Sequence, residues 1–267
     1  MNTQANDLNT LFSIEGKVAL ITGGSRGIGY MIAQGYVENG VRVYITSRTA
    51  DECQKAAKAL SKYGTCIAIP ADVSTEEGRN VIYEALNQHE QTLDILVNNA
   101  GIAIAAGPED GGFDAFAETS FSQVMDINVK APFLLIQKLI GLLENNASQT
   151  NPARVINIGS VYGQMVTEFP NAAAYGPSKA AIHFMTQEMG KYLGLRGIIV
   201  NAIAPGLFES QMTQSPDGEL DNYIAAKTPV ARTGLPQDMA GLAIFLASPA
   251  SAFINGEIIK LDGGYSL

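Results

Sequence analysis

The chain has 267 residues, of which 46% are hydrophobic and 16% are charged. It can therefore bury the core of one large α/β domain or two small ones, and its composition is not that of a disordered protein. The formal net charge of −9 argues against nucleic acid or an anionic membrane as the main partner.

Histidine and cysteine are scarce, which argues against metal and triad chemistry. Cys53 and Cys66 match no metal-ligand spacing. The two histidines, His89 and His183, are too few for a zinc site or a His-based triad, and we expect both at the surface or on a helix face. We therefore predict no metal.

The sequence shows no membrane or export signal. No apolar run approaches the roughly 20 residues that span a bilayer. The first residues are polar and form neither a basic nor an apolar signal region. We expect no membrane span and a cytoplasmic location.

Strands and helices are predicted to alternate along the chain. Short apolar runs predict strands, and amphipathic segments that end near glycine predict helices. Ser74, with Glu77 three residues on, is expected to cap one helix. The predicted strands are 17–21, 41–46, 66–69, 93–97, 154–158, 198–203 and 257–261. The predicted helices are 30–39, 50–63, 75–89, 121–144, one near Tyr175, and 237–247.

Such alternation predicts the fold class. It means parallel pairing with right-handed crossovers. We therefore expect an α/β fold, a single-domain Rossmann-type doubly wound parallel sheet of about seven strands with helices on both faces. Residues 1–15 are predicted to be a polar arm, 16–267 the single domain, and the irregular stretch 207–228 a substrate lid.

A glycine-rich turn follows the first predicted strand and precedes the first helix. Gly23, Gly27 and Gly29 mark it, at a spacing that is neither G-x-G-x-x-G nor a P-loop. Glycines let the backbone approach a pyrophosphate, and a helix N-terminus offers amides and a positive dipole end. A plain glycine turn is the alternative, but the position favours a dinucleotide at the carboxyl ends of the strands.

The end of the second predicted strand indicates which dinucleotide binds. An NAD-binding sheet carries an acid there for the ribose 2′-hydroxyl, whereas this chain has Ser47 and Arg48. With Arg26 of the glycine turn, these side chains suit a 2′-phosphate, so we predict NADP(H). Asp72, after the third strand, either accepts a bond from the adenine amino group or caps the next turn.

Tyr175 and Lys179 stand four residues apart in a predicted helix and so share one face. An ammonium beside a phenol favours the phenolate, so we expect the pKa of Tyr175 to fall below about 10. Such a tyrosine can transfer a proton near neutral pH. Taken alone, the pair is more often a half-buried aromatic ring and a solvated cation.

Further motifs accompany the glycine turn and the Tyr175–Lys179 pair. The full set is Thr22-Gly23-x-x-x-Gly27-x-Gly29, Asn98-Asn99-Ala100-Gly101, Asn128, Ser160, Tyr175-x-x-x-Lys179, Pro205-Gly206 and Leu261-Asp262-Gly263-Gly264. Read together, these motifs resemble the short-chain dehydrogenase/reductase family from about residue 15 to the end. Within that family, the segments 154–161, 174–181 and 31–35 are similar to NADPH-dependent β-ketoacyl reductases of rhamnolipid biosynthesis and, less closely, to 3-oxoacyl-acyl-carrier-protein reductases.

The resemblance implies an enzyme that transfers hydride from NADPH to a carbonyl. Ser160 would bond the substrate carbonyl and Tyr175 would donate the proton. Lys179 would lower the Tyr175 pKa and hold the nicotinamide ribose, and Asn128 would fix a water that links Lys179 to solvent. A carbonyl that accepts hydride develops oxyanion charge, so donors must already point at its oxygen.

Cofactor contacts are implied along the same edge of the predicted sheet. Ser210 stands where the family carries a threonine, and it keeps a hydroxyl. Together with the contacts argued above, the set is Gly23, Ser25, Arg26, Gly27, Ile28, Gly29, Ser47, Arg48, Asp72, Val73, Asn99, Ala100, Gly101, Tyr175, Lys179, Pro205, Gly206, Phe208 and Ser210.

Three segments, 102–118, 161–173 and 207–228, are expected to select the substrate. Their apolar residues either receive an acyl chain or simply pack under the loops. They include Ile102, Ile104, Met165, Val166, Phe169, Phe208 and Met212.

Charge in these segments argues against an acyl carrier protein as the partner. Before Lys227 the three segments hold no Lys or Arg, whereas an acidic carrier is expected to want cations at the site. Lys130, Lys227 and Arg232 would compensate only if they face the site. A free, CoA-linked or non-acyl carbonyl compound is therefore at least as compatible as a carrier-bound one. The acidic residues are Glu109, Asp110, Asp114, Glu118, Glu168, Glu209, Asp217, Glu219 and Asp221.

Three functions remain open from the sequence. The first is an NADPH-linked reductase of 3-oxoacyl or related carbonyl compounds, and the second is a dehydrogenase for a sugar, steroid or aromatic ketone. The third, disfavoured because all four active-site residues are present, is a non-catalytic nucleotide-binding protein. The family resemblance also implies a homotetramer or homodimer through helices at about 116–145 and 172–193, with the last strand in a second interface.

Overall fold

The computed structural model describes residues 7–104, 116–166, 173–208 and 226–267. Several predictions about the substrate segments lie outside these residues. They concern Phe169, Ser210, Met212, most of the acidic residues and the greater part of the expected lid at 207–228.

A seven-stranded sheet forms the centre of the molecule, and all its neighbouring strands pair in parallel. The strands are β1 (Val18–Thr22), β2 (Arg42–Ser47), β3 (Cys66–Pro70), β4 (Ile95–Asn98), β5 (Ala153–Ile158), β6 (Ile198–Pro205) and β7 (Ile258–Leu261). Their spatial order is β3-β2-β1-β4-β5-β6-β7.

Helices cover both faces of this sheet. They are α1 (Leu8–Leu11), α2 (Gly27–Glu38), α3 (Ala50–Leu60), α4 (Glu76–His89), α5 (Glu118–Met125), α6 (Ala131–Glu144), α7 (Tyr175–Gly194) and α8 (Pro236–Ala247). One buried cluster joins the sheet to α2, α3 and α8, and the other joins it to α4, α6 and α7. The predicted fold class is therefore confirmed.

The strand order determines where a ligand can lie. The chain leaves β1 toward β2 and β3, then returns to the other side of β1 to form β4. Loops that leave β1 and β4 in opposite directions open a crevice at the carboxyl ends of these strands. Every strand-end residue singled out in the sequence belongs to this edge of the sheet.

The predicted helix at 121–144 is not continuous. It consists of α5, a π-helical segment at Asp126–Lys130, and α6. Hydrophobic periodicity cannot distinguish a π turn from an α turn of this length, and such bulges are often found at functional sites. Asn128 lies in the π segment.

The structure differs from the sequence prediction at one helix cap and adds detail to the N-terminal stretch. Thr75 rather than Ser74 caps α4, because its hydroxyl accepts the Gly78 amide at 3.0 Å while the Ser74 hydroxyl donates to Asp72. The stretch 7–15 is not simply a polar arm, since it contains α1 and since the Ile14 side chain is buried in the core.

Within the residue ranges that the structure describes, every helix is too short or too polar to span a bilayer.

Candidate active site

The turn after β1 is shaped by close backbone approach. Gly23 has a φ of +64°, which favours glycine. A Cβ on Gly29 would lie 2.4 Å from the Gly23 carbonyl oxygen and 2.4 Å from the Asn99 side-chain nitrogen. Only glycine fits there, so the turn closes directly onto the start of α2.

The N-terminus of α2 follows the glycine turn directly, since the helix begins at Gly27. First-turn amides of a helix lack intrahelical partners, and together with the helix dipole they bind phosphate. With the tight glycine turn beside it, this helix end fits the pyrophosphate of a dinucleotide.

The end of β4 is tied to the same turn. The amides of Asn99 and Ala100 both donate to the Thr22 hydroxyl at 3.0 Å. The Asn99 side chain donates to the carbonyls of Thr22, at 2.8 Å, and Gly23, at 3.1 Å. Asn99 therefore holds the two sides of the crevice at a set separation.

The glycine turn also lies across the end of β2. The Gly24 amide donates to the Thr46 carbonyl at 3.1 Å, and a Cβ on Gly24 would lie 2.6 Å from the Ile45 side chain. Beyond Thr46, Ser47 is half-buried and Arg48 is exposed. The structure thus brings the strand-end Ser47 and Arg48 to the edge occupied by the glycine turn.

Asp72 caps a turn in the structure. Its Oδ1 accepts the Ser74 amide at 2.9 Å and the Ser74 hydroxyl at 2.7 Å. Arg79 holds the same loop, because its guanidinium donates to the Val73 carbonyl at 2.8 Å. One of the two roles considered for Asp72 is therefore present, and its contact with adenine stays a prediction.

Tyr175 and Ser160 are brought together by α7 and the end of β5. Tyr175 is the first residue of α7, so Pro177 lies in the first turn, where a missing amide is tolerated. Ser160 follows β5, is buried, and accepts the Tyr162 amide at 3.2 Å. A hydrogen bond joins the Ser160 and Tyr175 side chains.

The expected fall of the Tyr175 pKa is wrong in this structure. Burial raises the pKa of Tyr175 and outweighs the hydrogen bond with Ser160, which lowers it. Lys179 is not a cause of the shift, since its Nζ lies 5.6 Å from the Tyr175 ring centroid and donates instead to the Ile158 carbonyl at 2.8 Å. Removal from water therefore decides the direction of the shift.

Lys179 is itself buried deeply. Its exposed fraction is 5%, so the alternative interpretation of Lys179 as a solvated cation is wrong. Burial lowers the pKa of Lys179 to about 8, because an ammonium loses its hydration there. This lysine can therefore exchange its proton in a range accessible to an enzyme.

Asn128 stands beside Lys179, but its side chain is occupied. Its Oδ1 accepts the Ile102 amide at 2.8 Å, and its Nδ2 donates to the Ile102 carbonyl at 2.9 Å and to the Ser178 hydroxyl at 2.9 Å. A Cβ on Gly101 would lie 3.1 Å from Asn128 Oδ1 and 3.5 Å from Lys179 Nζ. Asn128 thus positions the loop after β4 around the lysine, and its expected role in holding a water stays a prediction.

The segment after β6 completes the crevice. The Gly206 amide donates to the Leu261 carbonyl at 3.0 Å, and a Cβ on Gly206 would lie 2.7 Å from that of Asp262. Phe208 is buried against Gly234, where a Cβ would meet its ring at 2.4 Å. These glycines let Pro205-Gly206-Leu207-Phe208 pack against the chain end.

Sequence reasoning missed two buried residues of this site. Ser178 donates to the Tyr175 carbonyl at 2.7 Å while it accepts from Asn128. His183, expected at a surface or helix face, has an exposed fraction of only 6% and contacts the Ser160 backbone. Helical spacing from Lys179 was the available signal, because His183 follows it by four residues on the same face.

Comparison with known proteins supports one family. A family model described as enoyl-(acyl carrier protein) reductase matches residues 23–266. The chain is 46% identical to the rhamnolipids biosynthesis 3-oxoacyl-[acyl-carrier-protein] reductase of Pseudomonas aeruginosa, over 97% of this chain and 100% of that protein. It is 33% identical to the 5-keto-D-gluconate 5-reductase of Escherichia coli, over 96% and 98% respectively.

A solved structure agrees with these matches. The Pseudomonas aeruginosa RhlG/NADP active-site complex superposes with a TM-score of 0.90 at 46% identity. The match covers 96% of this chain and 99% of that one. The likeness therefore extends to the whole fold.

We expect the buried Lys179 to make stability depend on pH. Its pKa is about 8 in the folded protein against 10.5 in the unfolded chain, so between these values the unfolded chain binds the extra proton and stability rises with pH. Relative to Lys179→Met, the free energy of unfolding of the wild type should rise by about 3 kcal/mol in total across this window. Urea denaturation without added cofactor from pH 7 to 10 measures it.

Lys191→Met, a change at an exposed lysine of the same helix, provides the control. Below pH 8 the difference between wild type and Lys179→Met should be flat, because both states of the chain then hold the proton. A wild type that loses stability relative to the variant as pH rises would contradict the assignment.

Proposed function

This chain belongs to the short-chain dehydrogenase/reductase family of oxidoreductases, and we propose that it uses NADPH to reduce the carbonyl of a 3-oxoacyl thioester or related ketone. One observation carries this proposal. The Ser160 and Tyr175 side chains are hydrogen-bonded to each other at the carboxyl edge of the sheet, on the edge that carries the glycine turn. The relative at 46% identity is named as a 3-oxoacyl-[acyl-carrier-protein] reductase, and the matching solved structure is named as an NADP active-site complex.

The proposed chemistry uses two hydroxyl donors. Bound NADPH supplies the hydride. Ser160 and Tyr175 direct their hydroxyls at the substrate carbonyl oxygen, where negative charge develops, and Tyr175 gives up its proton. The raised pKa of Tyr175 suits a proton donor, because burial keeps the phenol protonated until the oxygen becomes basic.

Lys179 is proposed to return a proton to the site and to hold the cofactor. Its remaining N–H groups suit the hydroxyls of the nicotinamide ribose. Because its pKa is about 8, the ammonium can pass a proton back to Tyr175 for the next turnover.

The cofactor-binding proposal follows the sheet edge. Gly23 to Gly29 and the N-terminus of α2 receive the pyrophosphate, and Asn99 to Gly101 line the path beside β4. Ser47, Arg48 and Arg26 are proposed to receive the 2′-phosphate, since guanidinium groups bind phosphate by paired hydrogen bonds. The loop of Asp72 and Val73 is proposed to border the adenine.

A carrier-bound substrate is less well supported by the described charges. Lys130 is paired with Asp126 at 3.2 Å, and Arg232 is paired with Asp238 at 2.6 Å. Two of the three cations that would compensate for the acidic segments therefore already have carboxylate partners. A free or CoA-linked acyl compound is the form that we propose.

A sugar or aromatic ketone is the second candidate. The relative from Escherichia coli is named for 5-keto-D-gluconate and covers 96% of this chain. Against it, Tyr175 also packs in an apolar cluster with Val161, Met165 and Leu207. These apolar surroundings favour an acyl chain over a polyol as the substrate.

We expect the enzyme to oxidise NADPH with 3-oxoacyl substrates and to lose this activity in Tyr175→Phe. Loss of the proton donor should lower turnover by about 10²- to 10⁴-fold while cofactor binding persists. A ketone panel followed by NADPH absorbance measures it. The panel includes one 3-oxoacyl chain on carrier protein, on CoA and on a small thioester mimic, as well as sugar and aromatic ketones.

Tyr63→Phe, at an exposed tyrosine after α3, is the matched control and should keep full activity. Full activity of Tyr175→Phe would refute the catalytic proposal. A strong preference for the carrier-bound chain would refute the choice of a free or CoA-linked substrate, and turnover of sugar ketones alone would favour the second candidate.

The preference for NADPH is expected to depend on Arg48. Removing one guanidinium–phosphate contact in Arg48→Ala should lower the ratio of kcat/KM for NADPH over NADH by about 10- to 100-fold. Arg42→Ala, at the other end of β2, where Arg42 pairs with Glu90 at 2.9 Å, should leave the ratio unchanged. A wild-type enzyme that prefers NADH would contradict the assignment of NADPH as the cofactor.

We also propose a cytoplasmic homotetramer or homodimer that associates through α5, α6 and α7. Large exposed side chains on these helices support this, namely Phe121, Phe133, Phe184 and Tyr192. Light scattering should give a multiple of 28.3 kDa, and a monomer at micromolar concentration would contradict it.

A further inference from the structure

His183 lies directly beneath the turn that carries Ser160. It stands on α7, four residues after Lys179, and its exposed fraction is 6%. Its Nε2 accepts the backbone amide of Ser160 at an N···N distance of 3.4 Å, at the long end for such a bond. A side chain from α7 thus contacts the backbone of the proposed substrate-binding serine.

Two glycines make room for this imidazole. A Cβ on Gly159 would lie 2.0 Å from His183 Nε2, and a Cβ on Gly163 would lie 2.7 Å from its Cε1. Any side chain at either position would expel the ring. The turn from β5 through Val161–Gly163 is therefore built around His183, one glycine at each end.

The bond requires one protonation state of the ring. Nε2 can accept an N–H only when it carries no proton, so the proton of the neutral ring is on Nδ1. Burial, helped by the charge of Lys179, lowers the pKa of His183 to about 4 and keeps the ring neutral. The state that the geometry needs is therefore the one that the surroundings favour.

This arrangement costs stability. His183 Nδ1 is buried, and no group among the described residues bonds it. An apolar side chain at this place would avoid that unsatisfied donor. A buried polar group kept at such a cost indicates a role other than packing.

We propose that His183 is a positioning residue that orients Ser160 by accepting its amide N–H. This inference rests on the proposed function of Ser160 as a donor to the substrate carbonyl. Ser160 is held from two sides, since its amide donates to His183 and its Oγ accepts the Tyr162 amide. The serine hydroxyl is thereby left to face Tyr175.

The first test compares two substitutions that differ in the acceptor. His183→Leu removes the acceptor and should lower kcat by about 5- to 20-fold, with KM and Kd for NADPH within about twofold of wild type. His183→Gln places a side-chain oxygen near the former Nε2 and should restore kcat to within about threefold of wild type. Equal losses in both variants would overturn the proposal.

Thr186→Val provides a matched structural control. Thr186 is also buried on α7, and its hydroxyl bonds the Asn157 side chain at 2.9 Å and the Ile182 carbonyl at 2.8 Å, neither of which belongs to the serine turn. Its loss should lower the melting temperature and leave kcat unchanged. If Thr186→Val lowers kcat as much as His183→Leu does, general loosening of α7 explains both.

The decisive experiment is a double-mutant cycle with Ser160→Ala. If His183 acts through the serine hydroxyl, His183→Leu should cause no further loss of kcat in the Ser160→Ala background. Additive losses would overturn the proposal. Wild-type activity of Ser160→Ala alone would instead show that the proposed function of Ser160 is wrong, so the two failures are distinguishable.

A measurement on the wild type covers the case in which His183→Leu does not fold. NMR of protein labelled with ¹⁵N in its two histidines should show His183 as the Nδ1–H tautomer at pH 7, with the exposed His89 as internal reference. The Nε2–H tautomer would exclude acceptance of the Ser160 amide.

Discussion

The burial of the Lys179 ammonium is the constraint around which the site is built. Its Nζ is removed from water and donates to the Ile158 carbonyl at the end of β5. That bond fixes α7 across the carboxyl end of the sheet, with Tyr175 one turn before the lysine. An ion in such surroundings is costly and changes its pKa instead of remaining fully charged.

The same dry environment acts on its neighbours. Burial raises the pKa of Tyr175, lowers that of Lys179 to about 8, and lowers that of His183 to about 4. All three shifts favour neutral side chains. Groups with shifted pKa values gathered in a crevice are typical of a functional site, and here one is suited to donate a proton and another to replace it.

Backbone spacing matters as much as charge. Gly29 lets the start of α2 touch the turn after β1, Gly101 leaves space between Asn128 and Lys179, and Gly159 leaves space for His183. A methyl group at Gly29 or Gly159 would collide with the facing element, and one at Gly101 would crowd the Asn128 side chain. The chain therefore combines its catalytic and cofactor segments through glycine contacts that a larger residue would break.

The sequence by itself predicted the alternation of strands and helices, the all-parallel sheet and the shared helical face of Tyr175 and Lys179, and its family resemblance added Ser160. Periodicity and motif spacing are local properties, and they persist whatever the rest of the chain does. The tertiary structure alone decided the direction of the Tyr175 pKa shift, the π segment around Asn128, and the burial of His183 against the Ser160 turn. These depend on desolvation and on contacts between segments distant in the chain, which no local pattern records.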